Sequence, residues 1–418
     1  MRPLILLAFV GGVFAQQAVR PKDVRDAAKA GSSAIPRLQE FLKDPSVDVR
    51  VEAVRQITEI GPPRSLDPLV LATRDNDAEV QILATDGIVN FYLPGYVKTG
   101  LGASLKRVGT SIKGRFTDTN DQVIDPYITV RPDVIAALAK LVTSGSSMDV
   151  RANAARAVGI LRGQGAVDAL IDATHSKDST LIYESLNALE KIRDESAGPR
   201  IAFLLRDFVP KVQIAAIDAV GLLRDQQDLP QLVDVLNRSD IKVKREALES
   251  ISMLPAESSR SIYQQYLHDK DDKLRAAAAE GFARLKNPRD LPLVEQAWKD
   301  EQKTSPRLSL AFAEVMLGKT ELSEFSPLRF LINNLNSAAY NGIAFPFLVE
   351  VARQPNIRAA LYAPMLNGTK DEKIGLARVL GRSGDAQSIP ELQKLSNDPD
   401  PNVAQAALTA VRNLQARM

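Results

Sequence analysis

The chain has no cysteine and only two histidines among its 418 residues. The absence of cysteine excludes disulfide bridges and thiol chemistry. Aromatic residues make up only 5% of the sequence, and the net charge is +2, from 53 basic and 51 acidic residues. This even balance argues against a nucleic-acid binder and against steering toward a polyanion.

Motifs of catalysis are also missing. The sequence has no Gly-x-Ser-x-Gly elbow, Walker loop, Gly-x-Gly-x-x-Gly run or His-Glu-x-x-His helix. The two histidines, His175 and His268, are 93 residues apart, which is three times 31. Helices that pack in layers of roughly 10 Å would then place them about 30 Å apart, too far to share a metal. The sequence therefore indicates no catalytic, metal-binding or cofactor-binding residue.

A 31-residue period is the strongest signal that is present. Apolar anchors recur along the chain, and five of the six steps between them are 31 residues long: Val49, Val80, Val150, Leu181, Val212, Val243 and Leu274. Four residues after each anchor stands a small residue, and eight residues after it stands a larger apolar one. Residues four and eight positions apart lie on one face of an α-helix, so the pattern predicts one helix in each unit with this face buried.

A second helix in each unit is predicted upstream of the first. Proline stands thirteen residues before several anchors, as at Pro36, Pro199 and Pro230, and proline is favoured in the first turn of a helix. The period drifts toward the C-terminus, where the anchors are placed at Arg307, Tyr340, Glu372 and Val403. The sequence therefore predicts an all-α solenoid of about eleven hairpins, stacked into one elongated body with one insertion.

One stretch of this pattern reads Asp149-Val150-Arg151, then Ala154-Ala155, then Ala157-Val158-Gly159. It resembles the Asp-x-Val-Arg-x-x-Ala-x-x-Ala-Leu-Gly pattern of HEAT repeats, in particular the shorter, phycobilisome-lyase type, and the resemblance covers roughly residues 33 to 417. The family includes scaffolds, transport factors, chromophore lyases and an iron hydroxylase, so the resemblance implies a fold more than a function. Those hydroxylases use His-Glu pairs, whereas here His175 precedes Ser176 and His268 precedes Asp269.

The N-terminus carries an apolar stretch from Leu4 to Phe14, preceded by Arg2. Small residues then precede Gln16, so the sequence predicts a signal peptide over residues 1–15 that is cleaved between Ala15 and Gln16. About twelve apolar residues fall short of the roughly 20 that span a bilayer, which disfavours an uncleaved anchor. We therefore expect a periplasmic or secreted protein in which residues 16–32 lead into the first repeat.

Two polar columns accompany the buried face of the helix. The column six residues after the anchor lies opposite the core, and in the family that the chain resembles this helix lines the concave surface. We predict that the column is a solvent-facing stripe for a partner, with an ordinary polar face as the alternative: Arg55, Asp86, Arg156, Asn187, Asp218, Glu249 and Glu280. The column directly after the anchor is basic, and in HEAT-like families it ties neighbouring repeats together: Arg50, Arg151, Lys244 and Arg275.

An insertion interrupts the period, because the step from Val80 to Val150 is 70 residues, 39 more than one period. It is placed at 93–131, between repeats 1–2 (33–92) and repeats 3–11 (132–418). Residues 93–116 carry five basic groups and no acid, and helical spacing of their apolar residues predicts a basic amphipathic helix for anionic lipid or a partner's groove. The alternative is a loop packed on the solenoid. The candidate contacts are Tyr96, Lys98, Leu101, Leu105, Lys106, Arg107, Ile112, Lys113, Arg115 and Phe116.

These observations predict an exported, non-enzymatic and monomeric scaffold that binds a protein partner of unknown identity, without a cofactor and without nucleic acid. Two alternatives remain open. One is a lyase-type or hydroxylase-type enzyme, or a chromophore-handling protein, of the HEAT-like family. The other is a peripheral membrane adaptor that uses the basic insertion.

Overall fold

The structure is a computed structural model, and it describes residues 18–97 and 122–418. The chain divides into two compact units, residues 1–110 and 111–418, so the boundary lies inside the predicted insertion. The predicted signal peptide, with Ala15 and Gln16, lies outside the described residues. The single elongated body stays a prediction.

All regular secondary structure in the described residues is helical, which confirms the all-α prediction. Helix α1 (Pro21–Ala28) opens unit 1, and the remaining helices form two pairs in unit 1 and nine in unit 2, numbered here as repeats 1 to 11. No helix in these residues is long and apolar enough to cross a bilayer.

The first helices of the eleven pairs are mostly short. They are α2 (Ile35–Phe41), α4 (Leu66–Ala72), α6 (Pro132–Ser144), α8 (Val167–Ala173), α10 (Gly198–Ile201), α12 (Leu229–Arg238), α14 (Arg260–Tyr266), α16 (Leu291–Asp300), α18 (Pro327–Asn333), α20 (Pro355–Asn367) and α22 (Ser388–Leu395). The second helices are α3 (Val47–Ile60), α5 (Ala78–Tyr92), α7 (Met148–Ile160), α9 (Ser179–Ile192), α11 (Pro210–Leu222), α13 (Ile241–Met253), α15 (Asp272–Leu285), α17 (Thr304–Met316), α19 (Asn341–Val351), α21 (Lys370–Ser383) and α23 (Pro401–Gln415).

The core of each unit is built from the predicted columns of the second helices. None of the seven anchors from Val49 to Leu274 is more than 4% exposed, and the residues four and eight positions later are fully buried. Burial of each larger apolar side chain stabilises the fold by about 1.5–3 kcal/mol. Small residues let neighbouring second helices approach closely: a Cβ on Gly159 would lie 2.7 Å from the Cα of Ala188.

Aspartates fix where many second helices begin. The side chains of Asp77, Asp178, Asp240 and Asp271, each three residues before an anchor, accept hydrogen bonds from backbone N–H groups of the first helical turn. Such a cap stabilises a helix by about 1 kcal/mol. The recurring caps therefore hold these four second helices in the same register relative to their repeats.

The register drifts in repeats 8 and 9, and two predicted anchors are wrong there. Arg307 and Tyr340 are only half-buried, whereas Leu308 and Ala344 are fully buried. In repeat 9 the reason is a change in the connections, because the longer loop before α18 and the 3-10 turn Asn334–Asn336 add residues between Leu308 and Ala344.

Candidate interaction surface

The predicted stripe lies on the second helices, but it does not face solvent throughout. Arg156 is only 3% exposed, so the prediction is wrong for this residue. Its guanidinium donates to Asn153 Oδ1 at 2.8 Å, and its charge opposes the burial that raises the pKa of Glu184 on the neighbouring helix α9. The other six residues keep partial or full exposure: Arg55, Asp86, Asn187, Asp218 and Glu280 are half-buried, and Glu249 is exposed.

Carboxylates gather on the second helices of repeats 4 to 6. Burial raises the pKa of Asp218 to about 8, and the negative charges of Glu190, Glu246 and Glu249 act in the same direction. Burial also raises the pKa of Glu190 to about 7. Although Glu249 is exposed at the surface, partial loss of water around its carboxyl group and the charges of Glu280 and Glu246 raise its pKa to about 7. These carboxyl groups are therefore partly protonated at neutral pH, and a nearby cation would favour their ionised form.

Arg284, in the last turn of α15, connects several second helices. It donates to Glu280 of α15 at 3.1 Å, to Ser252 of α13 at 3.1 Å and to Glu350 of α19 at 3.0 to 3.3 Å. Burial works against its charge, but Glu280 and Glu350 outweigh burial and raise the pKa of Arg284. Repeats 7 and 9 would lie about 20 Å apart in a flat stack. An ion pair that reaches across repeat 8 therefore shows that this face of unit 2 is concave.

Arginines join neighbouring repeats at the edge formed by the turns between first and second helices, called here the ladder edge. In unit 1, Arg50 donates to both carboxylate oxygens of Asp75 in the next repeat, at 2.7 and 3.0 Å. In unit 2, Arg275 donates in the same way to Glu301, at 2.7 and 3.2 Å. Both are two-bonded guanidinium–carboxylate pairs, the geometry that gives the strongest charge-assisted bonding.

Two members of the predicted ladder behave differently. In repeat 6 the bond to Asp271 of the next repeat comes from Arg245, one residue after the predicted Lys244. Arg151 donates to the carbonyl of Val142 at 2.8 Å, inside its own repeat. A position one residue further round the helix can reach the same turn, so the column directly after the anchor does not identify every linking residue.

The opposite edge of unit 2, where the second helices end, carries six exposed arginines, called here the arginine rim: Arg162, Arg193, Arg224, Arg353, Arg382 and Arg417. Three of them, Arg162, Arg193 and Arg224, recur at intervals of 31 residues, twelve residues after their anchors. This spacing is the signal of the rim in the sequence, and the two predicted polar columns do not include it.

The family model for HEAT repeats matches residues 16–88 and 229–313. The chain is built of HEAT repeats. No curated protein matches it.

Solved structures that match this chain include two natural proteins and one engineered protein. The complex of CpcE and CpcF of phycocyanin lyase from Nostoc sp. PCC7120 is 15% identical, with a TM-score of 0.39 over 65% of this chain and 94% of that chain. The engineered protein is 18% identical, with a TM-score of 0.40 over 91% of this chain and 98% of that chain. Human deoxyhypusine hydroxylase in complex with glycerol is 18% identical, with a TM-score of 0.28 over 68% of this chain and 96% of that chain.

Only the two ends of the insertion are described. Tyr96 is half-buried, and the other predicted contacts lie outside the described residues: Lys98, Leu101, Leu105, Lys106, Arg107, Ile112, Lys113, Arg115 and Phe116. At the second end, Ile124 is 3% exposed, and its N–H donates to the carbonyl of Ile160 at 3.0 Å. This end therefore packs on HEAT repeat 3, as in the alternative of a loop that packs on the solenoid.

The histidines occupy matching places after the first helices of HEAT repeats 4 and 7. The ring of His175 stacks on Phe203 with centroids 4.5 Å apart. In the part of the chain that the structure describes, no group of three or more His, Cys, Asp or Glu side chains is arranged to hold a metal ion.

Proposed function

We propose that this protein is an exported, non-enzymatic HEAT-repeat scaffold that binds a protein partner on the concave face of unit 2. The supporting observation is the row formed by Glu190, Asp218 and Glu249, whose pKa values burial raises to between about 7 and about 8. None of the three forms an ion pair in the described residues. Nearby cations, among them Arg193 and Lys273, offset only part of the cost of desolvating these carboxylates. A cationic segment of a partner would favour their ionised forms further.

The test uses residues 16–418 as bait in three forms: the unaltered chain, the double variant Asp218→Asn/Glu249→Gln, and the control Glu324→Gln. Glu324 is exposed and lies in the loop before α18, away from the second helices. We expect crosslinked capture from envelope and secreted fractions to retain one protein on the unaltered chain and on the control, and to lose it on the double variant. Equal retention on all three would contradict the assigned face, and no retained protein would contradict the scaffold.

A second candidate is a membrane adaptor, favoured by the five basic groups and the absence of acids in residues 93–116. Its test is deletion of residues 98–121, which keeps Ile124 because that residue is buried against repeat 3. Salt-sensitive binding of the full chain to vesicles with anionic lipid, lost on this deletion, would favour the adaptor. The scaffold proposal instead predicts no vesicle binding by either form.

The lyase-type alternative also has one observation in its favour, because carboxyl groups with raised pKa values occur in sites of acid–base catalysis. Asp218 and Glu249 have such values, of about 8 and about 7. A pigment or a metal that copurifies in stoichiometric amount, measured by absorption spectroscopy and elemental analysis, would support this alternative. The same measurement without either would support the scaffold.

A further inference from the structure

The arginine rim brings together two distant parts of unit 2. Arg162, Arg193 and Arg224 stand at the ends of second helices in repeats 3 to 5, whereas Arg353 and Arg382 belong to repeats 9 and 10. Burial lowers the pKa of Arg193, and the positive charges of Arg353, Arg224 and Arg382 lower it further. Burial and the charges of Arg193 and Arg382 likewise lower the pKa of Arg162. The charges of arginines in repeats 9 and 10 therefore act on arginines in repeats 3 and 4.

The rim side chains are exposed, yet the surrounding protein excludes part of the water from their guanidinium groups. This is expected on the inner side of a curved edge. None of the six arginines forms an ion pair in the described residues. Arg417 donates to the carbonyls of Arg382 and of Gly381, the latter at 2.9 Å. Arg382 lies over the ring of Phe345 at 5.2 Å. These contacts hold guanidinium groups in place without neutralising their charge.

Backbone geometry gives an independent reason to regard the rim as functional. Arg162, Arg193 and Arg224 have φ angles of 49°, 61° and 58°, in the left-handed region that favours glycine. In repeat 8 the matching place, after Leu317, is taken by Gly318 with φ 119°. A glycine therefore suffices to end a second helix here, and three arginines hold a less favourable conformation than the fold requires.

Attraction between cations and helix C-termini does not explain the rim by itself. That attraction acts between each arginine and its own helix and falls off within the last turn. It does not account for the lowered pKa values of Arg162, Arg193 and Arg417, to which the positive charges of arginines in other repeats contribute. Glu190 and Asp125 oppose these shifts at Arg193 and Arg162, and the carboxylates of an anionic ligand would offset more of the repulsion.

We propose that the arginine rim binds an extended acidic segment of a partner protein, whose carboxylates pair with Arg162, Arg193 and Arg224. This inference rests on the proposed scaffold function and names the chemistry of one partner. The position twelve residues after the anchor is arginine in repeats 3 to 5 and Lys286 in repeat 7. The three arginines can each form a two-bonded pair with a carboxylate.

The spacing of the rim fits an extended peptide. Successive second helices lie about 10 Å apart, and a chain in the extended polyproline II conformation advances about 3.1 Å per residue with three residues per turn, so every third side chain lies on the same face. Acidic residues at every third position would therefore meet successive arginines. A cleft of about 450 Å³, lined in part by Ile124, Pro126 and Ile135, opens beside Arg162 and can accept an apolar side chain at one end of the segment.

The test measures binding of labelled synthetic peptides to the full chain by fluorescence anisotropy. Three peptides are compared: one with Glu at every third position, one with the same composition but clustered Glu, and one with Gln in place of Glu. We expect the spaced peptide to bind most tightly and the Gln peptide not to bind. Binding should also weaken as salt rises, because exposed charges are screened.

Two rim variants and one control sharpen the test. Arg193→Gln and Arg193→Gly should each weaken the spaced peptide by about tenfold or more, the loss expected for one charge-assisted pair. Glycine tolerates a φ of 61°, so the Arg193→Gly variant should fold, and its weaker binding can be attributed to the missing side chain. Arg238→Gln is the control, because Arg238 lies on the ladder edge with its side chain 79% exposed.

Several outcomes would overturn the inference. These are no saturable binding, equal affinity for spaced and clustered peptides, or equal losses for the Arg193 and Arg238 variants. Tighter binding of polyphosphate than of the spaced peptide would also overturn it, in favour of a phosphate polymer. A partner that is captured on the concave face but is insensitive to Arg193→Gln would leave the proposed scaffold function intact and contradict only the rim.

Discussion

The two edges of unit 2 use the same residue type in opposite ways. On the ladder edge, Arg275 pairs with Glu301 of the next repeat, and the two side chains are only 16% and 7% exposed. On the rim edge, Arg193 is exposed and forms no ion pair in the described residues. The positive charges of Arg353, Arg224 and Arg382 lower its pKa, and the charge of Glu190 opposes them. An arginine that pairs with a carboxylate joins two repeats. A group of arginines without ion pairs is better explained by a ligand that binds to it.

The difference extends to the backbone. Arg275 lies inside a helix, where its conformation is favourable, while Arg193 adopts a left-handed conformation with φ of 61°. That conformation destabilises a non-glycine residue by about 1–2 kcal/mol. The ladder edge therefore adds stability to unit 2, and the rim edge reduces it. Proteins tend to break local structural preferences at functional sites, which is the pattern at the rim.

Loss of a ladder bond should have the largest effect. We expect Arg275→Met to lower the free energy of unfolding by about 2–4 kcal/mol, because it leaves the largely buried Glu301 without a counter-charge. Denaturant unfolding followed by circular dichroism measures this change. Arg238→Met is the control, since an exposed ion pair contributes roughly 0–1 kcal/mol. Similar losses for the two variants would show that the ladder is no more stabilising than any surface pair.

The sequence predicts the ladder edge better than the rim, and the reason is physical. Anchors, small residues and caps act within one repeat or between neighbours, so a 31-residue period reveals them. Arg156 is buried because the neighbouring helix provides Glu184, a contact that the period of a single helix cannot show. The rim depends on the effect of arginines in repeats 9 and 10 on those in repeats 3 and 4, which no period of the sequence shows. The net charge of +2 does not reveal it either, because the chain has nearly as many acidic as basic residues.

The acidic row should make stability depend on pH. The pKa of Asp218 is about 8 in the folded chain, against an ordinary value of 3.8. Below pH 3.8 the group is protonated in both states. As pH rises to about 8 the unfolded chain ionises first, so the free energy of unfolding falls by up to about 1.4 kcal/mol per pH unit for this group. The loss is complete above the folded pKa.

We therefore expect Asp218→Asn to raise the free energy of unfolding at pH 8 by about 1–2 kcal/mol and to flatten its decline between about pH 5 and pH 8. Thermal and denaturant unfolding at several pH values measure both effects. Asp168→Asn, which removes an exposed carboxylate paired with Arg200, is the control and should leave the decline unchanged. A decline of the same steepness in Asp218→Asn would show that Asp218 is hydrated and titrates normally.

The smallest expected effect is the most direct test of the comparison between the edges. Arg193→Gly should raise the free energy of unfolding by about 1 kcal/mol at low salt, because glycine tolerates the left-handed backbone and the repulsion from neighbouring arginines is removed. Lys286→Gly is matched to it, since Lys286 also has a positive φ, of 53°, but lies outside the group of six arginines.

Salt should then separate the two causes of this gain. High salt screens repulsion between exposed charges but does not change backbone strain. We expect the gain from Arg193→Gly to exceed that from Lys286→Gly at low salt and to approach it at about 1 M salt, where the Debye length is about 3 Å. Equal gains at both salt concentrations would mean that the rim arginines do not repel one another in solution. A variant that is more stable but no longer binds the acidic peptide would show that Arg193 lowers stability while it provides binding.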